Sequence, residues 1–338
     1  MGYPFLQELG HWLLVLIAII GGALLLSGGI GLLRPHSSFR AGERYLWPLV
    51  LLMLGLGFVL IGLLHYHLYG DITLGLPGGL GEYLNRMLAA SNRGRAYGLP
   101  LYDPAAPPRY LIPPWIENEK YYFWFGAFVF LAAASRHRAG PRFAAALAFF
   151  AGIHLLLLAI FFDPFREFLP RFQAEIAPWL APGLDPASRA ALFMRLYPRM
   201  LFYYNASYMW LHPPLLFVSY AAVTVVFIAS LFMFAGRNQA VEDEAYRQAR
   251  LGFLFLTIGM LMGYPWALTA WGPNWWWDPK IASSIMMWAV FATYLHTRLY
   301  LNRPAMWYLS AALGVLCFVA MVFTFIASFL FPGQHTFQ

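Results

Sequence analysis

The chain has 338 residues, of which 61% are hydrophobic, 19% aromatic and only 11% charged, with a mean hydropathy of +0.59. A soluble domain carries about 25% charged residues, so the composition excludes an ordinary soluble fold and points to an all-α, polytopic membrane protein forming one domain over residues 1–338. The net charge of +7 is no nucleic-acid signature, because its arginines follow the membrane boundaries. The single cysteine, Cys317, excludes an intramolecular disulfide, a CxxC redox pair and a CxxCH attachment motif within the chain.

Apolar runs lie at about 12–33, 46–68, 121–135, 143–162, 212–235, 251–270, 280–300 and 305–331. Each reaches or approaches the roughly 20 residues that a membrane-crossing helix needs, and the third is the shortest. The first run lacks a basic leader and reads as a retained helix, not a cleaved signal. Arginines gather in alternate loops: Arg34, Arg40 and Arg44; Arg136, Arg138 and Arg142; Arg237, Arg247 and Arg250; Arg298 and Arg303. An excess of positive charge marks the cytoplasmic side. Eight spans with both termini outside satisfy every loop.

Two long segments fall on the outer side. Residues 69–119 are rich in Gly and Pro and contain an amphipathic stretch, with Leu80, Tyr83, Leu84, Met87 and Leu88 at helical spacing. Residues 164–209 contain Asp185-Pro186, a helix start with proline at the first helical position. On that helix Arg189, Arg195 and Arg199 either snorkel from an interfacial helix or meet the carboxylates of a ligand or acidic partner.

Nine histidines are present. His11, His36 and His137 sit in loops or at span ends, and His65 and His67 close the second span, where an interfacial role suffices. His154 and His296 lie within spans, where an ionisable group is a functional hypothesis by default; the alternative is a neutral imidazole bonded to a neighbouring helix. His212 directly precedes Pro213-Pro214, which starts the fifth span and fixes the histidine at its outer mouth.

Residues 271–280, Trp271-Gly272-Pro273-Asn274-Trp275-Trp276-Trp277-Asp278-Pro279-Lys280, hold four tryptophans, an acid and a lysine. They form either an aromatic belt at the membrane interface or a platform for a large planar ligand carrying carboxylates. The alternation of spans places His212, this loop and His335 on one side of the membrane. Two neutral imidazoles flanking an aromatic platform are suited to bis-axial ligation of iron.

The pattern Trp271-Gly272-x-x-Trp275-x-Trp277-Asp278, with His212-Pro213-Pro214, Tyr294-Leu295-His296 and Gly333-Gln334-His335, resembles the tryptophan-rich signature of the haem-handling proteins of cytochrome c maturation, the CcsA, CcmC and CcmF group. The resemblance runs from about residue 201 to the end, making 201–338 the expected core. It departs from the group at Ile281, where a glutamate is usual. The resemblance implies haem b as cargo, held by Trp271, Gly272, Trp275, Trp277, Asp278 and Lys280 with His212 and His335 as axial ligands. The CxxCH segment of an apocytochrome c would be the acceptor and other membrane subunits the partners. The chain would lie in a bacterial-type cytoplasmic (inner) membrane with the tryptophan loop outside, at most one component of a haem lyase. The long spacing from the loop to both ligands is nearer CcsA or CcmF than CcmC. His296, with Arg298 beside it to attract a propionate, would serve a second, deeper haem, with His154 or a partner histidine opposite. Two other classes remain: a b-type haem subunit of an electron-transfer complex, and a transporter of another cargo.

Overall fold

The computed structural model describes residues 3–34, 42–93, 98 and 100–333, excepting the side chains of 269–271, 328 and 329. Eight long helices take up the eight apolar runs: α1 (Pro4–Leu33), α2 (Glu43–Asp71), α4 (Glu119–Ser135), α5 (Pro141–Phe161), α8 (His212–Ala235), α9 (Gln239–Trp271), α10 (Pro279–Thr297) and α11 (Pro304–Leu330). Three shorter ones, α3 (Leu80–Asn92), α6 (Pro170–Leu180) and α7 (Pro186–Arg199), lie in the two long connecting segments. Strand structure among the described residues is limited to one isolated bridge, Thr73 with Arg109. Six of the long helices are long and apolar enough to cross a bilayer. The other two, α4 and α10, have 17 and 19 residues, about 26 and 29 Å of helix. The protein is thus an all-α, polytopic membrane protein.

The helices pack as two neighbouring groups. In the first, α1 lies on α2 and α5, and both of these touch α4; in the second, α8 lies on α9 and α11, with α10 against α9 and α11. The groups meet where α4 packs on α8. Trp124 of α4 fills that seam, stacked on Phe325 of α11 at 4.9 Å and 7° and edge-on to Tyr220 of α8 at 5.7 Å. The outward faces remain apolar. On α2, Val50, Leu54, Ile61 and Leu64 are buried while Leu49, Leu52, Leu56, Val59 and Leu63 are exposed. A helix apolar on all sides with one face uncovered suits lipid as its solvent.

One end of the bundle gathers the arginine-bearing loops. Glu244, buried near the start of α9, accepts from Ser135 at the end of α4 at 2.5 Å and pairs with Arg247 at 2.5 Å and Arg138 at 3.7 Å. Arg298 binds Glu242 at 2.8 Å and Asp243 at 3.0 Å. Ser27 of α1 donates to Glu43 of α2 at 2.7 Å. These loops therefore share one end, and their few acids are bonded there.

The opposite end carries a cap built from α3, α6 and α7. Leu84 and Leu88 of α3 and Phe193 and Leu196 of α7 are buried, and Tyr102 stands edge-on to Phe193 at 5.4 Å. Asp185 caps α7 as the sequence predicts, accepting from the backbone N–H groups of Ala187 and Ser188. The Ser188 hydroxyl, with those N–H groups, holds the Asp185 carboxyl below its usual value. The α6 helix was not foreseen. Its capping carboxylate comes from a distant segment: Glu117, at φ 56, accepts from Arg171 N–H and Phe172 N–H, both at 2.9 Å. Arg199 pairs with Glu175 at 2.7 Å, and Arg189 lies 4.8 Å over the Trp179 ring. Both are thereby engaged inside the cap, although Arg199, like Arg195, is exposed.

Candidate functional site

His212 is the first residue of α8, followed by the two prolines. Its ring lies against α9, where Nδ1–H donates to the Gly259 carbonyl at 2.6 Å. A carbonyl only accepts, so Nδ1 carries the proton in neutral imidazole and Nε2 carries the lone pair. A Cβ on Gly263 would sit 2.6 Å from His212 Cε1 and 2.8 Å from Nδ1. Gly259 and Gly263 thus make a flat shelf on α9, in the Gly-x-x-x-Gly spacing that lets membrane helices approach closely. A metal-binding histidine characteristically donates its other ring N–H to a carbonyl or carboxylate, and His212 has that arrangement.

The tryptophan loop follows about two turns beyond this shelf. Helix α9 ends as Gly272 N–H donates to the Leu268 carbonyl at 2.9 Å with φ 76, a conformation that glycine adopts without a Cβ penalty. Trp275–Trp277 then form a short 3-10 turn. Trp275 stands edge-on to Tyr264 at 5.0 Å and 72°. Trp276 and Trp277 stack on each other at 4.1 Å and 27° while remaining 47% and 69% exposed. Two stacked indoles left open to their surroundings form an aromatic face not used by the fold. Asp278 is buried and caps α10, accepting from Lys280 N–H at 3.0 Å and Ile281 N–H at 3.4 Å. Its job is to join loop and helix.

The chain returns to this spot after α11. A Cβ on Gly333 would lie 2.6 Å from Asp278 Oδ2 and 2.6 Å from Pro279 Cδ, so residue 333 crosses directly over the α10 cap. His335, two residues on, lies outside the described residues, as does His36. Trp271 closes α9, and its side chain is likewise undescribed.

The remaining histidines separate into distinct places. His296 donates Nδ1–H to the Ala292 carbonyl at 2.8 Å and is exposed on the free face of α10, about 27 Å along the helix from Asp278. Arg298, expected to attract a propionate, is bonded to Glu242 and Asp243 and lies 4.0 Å over the Tyr246 ring. His154 belongs to α5, which packs on α1, α4 and α8, and sits between Phe125 and Phe128 at 4.9 and 4.3 Å. His296 belongs to α10, which packs on α9 and α11, so the two histidines lie on different parts of the bundle. His11 pairs with Asp163 at 2.6 Å, and His67 stacks on Tyr3 at 4.9 Å. His65 is buried edge-on to Phe168 at 5.0 Å. Among the described residues no cluster of three or more His, Cys, Asp or Glu side chains is placed to hold a metal ion.

Three parts of the site were not read from the sequence: Trp276 as the stacking partner of Trp277, and Gly259 and Gly263 as the shelf. The Gly-x-x-x-Gly spacing was the available signal for the shelf. Two further tryptophans are fixed by hydrogen bonds, Trp266 Nε1–H to the Phe202 carbonyl at 2.7 Å and Trp115 Nε1–H to that of Met209 at 2.5 Å.

Comparison with known proteins places the chain in a family. The sequence profile of the cytochrome C assembly protein family matches residues 115–335, a stretch containing His212, the tryptophan loop and His335. Similar curated relatives include cytochrome c biogenesis protein CcsA of Synechococcus sp. (strain CC9311), 48% identical over 63 residues, or 19% of this chain and 21% of that one. CcsA of Trieres chinensis is 40% identical over 100 residues, 29% and 31% of the two chains. CcsA of Vitis vinifera is 53% identical over 60 residues, 18% and 19%. The matched segments thus span between a fifth and a third of these relatives' length. No solved structure matches the chain. With the profile extending across the α4–α11 bundle and the whole tryptophan loop, the chain belongs to the cytochrome C assembly protein family.

Proposed function

We propose that this protein acts in cytochrome c maturation by holding haem b at the extracytoplasmic face of the membrane and presenting it for attachment to apocytochrome c. The observation that carries the reading is His212. Its Nδ1–H is anchored to Gly259 and its ring is seated on the Gly263 shelf, on the helix that leads into the exposed pair of stacked tryptophans. That is the chemistry of a pre-oriented imidazole ligand next to a flat apolar face. His335, two residues beyond the contact of Gly333 with the α10 cap, would be the second ligand in this reading. The residues fit a haem: a neutral nitrogen donor of fixed tautomer, aromatic surface and lysines nearby.

Haem supplies the vinyl groups to which apocytochrome thiols in a CxxCH segment add. The protein's part is to bind and orient it. His212 fixes the iron's position, Trp275 and Trp277 support the ring, and Asp278 rigidifies the loop through the cap on α10. In this reading of eight spans the bonded arginine loops are cytoplasmic, and the tryptophan loop works on the outer side of a bacterial-type inner membrane. The core is 201–338, the partners are apocytochrome c and other membrane subunits of the maturation system, and the protein is at most one component of a haem lyase.

A second haem position at His296 is supported by its exposure on the free face of α10. The opposing ligand there is a histidine of a partner subunit, since His154 lies on α5. Deletion of the gene in its own host tests the main reading. Covalent haem in c-type cytochromes should be lost while b-type cytochromes keep theirs; unchanged covalent haem staining contradicts it.

A further inference from the structure

The arginine-bearing end of the bundle holds more cations than its acids pair. Glu244 takes Arg247 and Arg138, and Glu242 and Asp243 take Arg298. Arg142, at the start of α5, and Arg237, between α8 and α9, are exposed and pair with no carboxylate among the described residues. Arg237 gives one N–H to the Leu301 carbonyl at 3.3 Å and lies 5.6 Å over the Trp307 ring, contacts that leave its charge unneutralised. Unpaired arginine at a membrane boundary is ordinary. These two differ in lining one cavity of about 520 Å³.

The local sequence builds both walls. On one side, Gly140 takes φ 89, which glycine adopts without a Cβ penalty, and Pro141 opens α5. The first turn of α5 contains no acid, so none competes there for Arg142. On the other side, α8 ends as Gly236 N–H donates to the Phe232 carbonyl at 3.2 Å. Asn238 then caps α9, which holds Arg237 between two helix ends. The floor is apolar. Phe143 stands edge-on to Phe232 at 5.7 Å, and Ala235 and Val241 complete the lining. Two turns further along α5, Phe150 meets Phe227 edge-on at 6.2 Å, so the aromatic seam continues into the bundle. Helix α5 belongs to the first helix group and α8 and α9 to the second; the cavity therefore opens on the junction of the two.

We propose that this cavity binds the headgroup of an anionic phospholipid, with Arg142 and Arg237 on its phosphate and its acyl chains along the apolar faces of α5 and α8. Cations above an apolar floor, at the ends of membrane-crossing helices, match a molecule that is anionic at one end and hydrocarbon at the other. A soluble anion would use the arginines and gain nothing from the floor. The volume falls within the roughly 300–1,000 Å³ of pockets that hold small molecules. Bound lipid would brace the two helix groups, because both contribute to its site, and a ligand of the folded state alone raises stability.

The test uses the full chain purified in neutral detergent and titrated with phosphatidylglycerol or phosphatidylcholine. Native mass spectrometry reads the lipid retained, and the unfolding temperature reads its effect on the fold. Wild type should prefer phosphatidylglycerol by about fivefold for each arginine, or about 25-fold for the pair, and should unfold at a higher temperature with it. The Arg142→Gln, Arg237→Gln double variant should lose the preference and the thermal shift. Arg303→Gln, at the same end but outside the cavity lining, should keep both. A double variant that keeps the preference overturns the inference, as does an Arg303→Gln variant that loses as much, which would mark general surface charge. Inorganic phosphate that stabilises wild type as well as the lipid does marks a soluble-anion site and overturns it too. If the double variant does not fold, Ala235→Phe, which fills the floor and keeps both arginines, must by itself lower phosphatidylglycerol affinity; unchanged affinity there overturns the inference. None of these readouts involves haem, so they stand apart from the function proposed above.

Discussion

Gly263→Ala is the substitution that isolates the orientation of His212. The added Cβ would fall 2.6 Å from Cε1 and 2.8 Å from Nδ1, where ordinary contact begins near 3.4 Å. The ring must therefore withdraw by about 0.8 Å from α9. Gly259, whose carbonyl accepts the Nδ1–H bond at 2.6 Å, lies on that same helix, so the bond stretches toward the limit of hydrogen bonding. Losing it costs about 1 kcal/mol, against a gain of up to about 1 kcal/mol from replacing glycine inside a helix. Global stability should change little. Haem affinity should fall by about 10- to 100-fold, the usual effect of removing an outer-shell partner of a ligating histidine. Haem titration of purified protein followed by absorbance measures this directly. Gly55→Ala, where a Cβ meets nothing within 4 Å, is the control for glycine replacement in a membrane helix. If Gly263→Ala binds haem within about twofold of wild type, the shelf does not position His212 and the ligand assignment loses its structural basis.

A cysteine at Asn238, in the loop between α8 and α9, should be protected from an impermeant thiol reagent added to intact cells and labelled only after permeabilisation; labelling from outside reverses the topology. Glu119 is buried and neither of its carboxylate oxygens is hydrogen-bonded. Glu119→Met should raise thermal stability by about 1–3 kcal/mol by removing that burden, whereas a fall would mean the carboxylate has a partner during function. His296→Ala should remove haem held at the α10 face without affecting the His212-dependent spectrum, measured as haem stoichiometry of the protein purified with its partners; unaltered stoichiometry makes His296 a structural residue.

The eight long helices were legible because membrane helices are written as runs of apolar residues. The boundaries were less so. Helix α9 starts at Gln239, well before its apolar run, because Asn238 caps it by accepting from Ala240 and Val241 N–H and because the polar turn that follows is bonded to Ser135, Arg138 and Arg298. Such stabilisation is tertiary and leaves no hydropathy signal. Helix α6 escaped for the same reason, since the carboxylate capping it belongs to Glu117. Its apolar residues Phe172, Ile176 and Trp179 are buried and do share one face, and Pro170 opens it, but no capping side chain precedes it. The pairing of Arg298 was not foreseen because its acceptors, Glu242 and Asp243, are 55 or more residues away in the chain.

At the site, the sequence displayed the donors but not what holds them. The Pro213-Pro214 pair and the tryptophan spacing located His212 and the loop. The cap role of Asp278 was not read from the sequence, although an acid directly before Pro279 was the available signal. What fixes the His212 ring is the Gly259 carbonyl and the lack of a side chain at Gly263, and a lack of atoms becomes informative only once the facing helix is in place. The absent glutamate at Ile281 has no evident local substitute, since position 281 contributes its backbone N–H to the Asp278 cap.

The central claim is that His212 ligates haem beside the tryptophan loop. Its most direct test is the absorption spectrum, oxidised and reduced, of the chain purified from haem-replete cells, compared with that of His212→Gly. Wild type should show a low-spin, bis-histidine haem; the variant should lose it and regain part of it on addition of imidazole, which fills the vacated position. A wild-type protein without haem, or a variant whose haem content and spectrum are unchanged, would contradict the account.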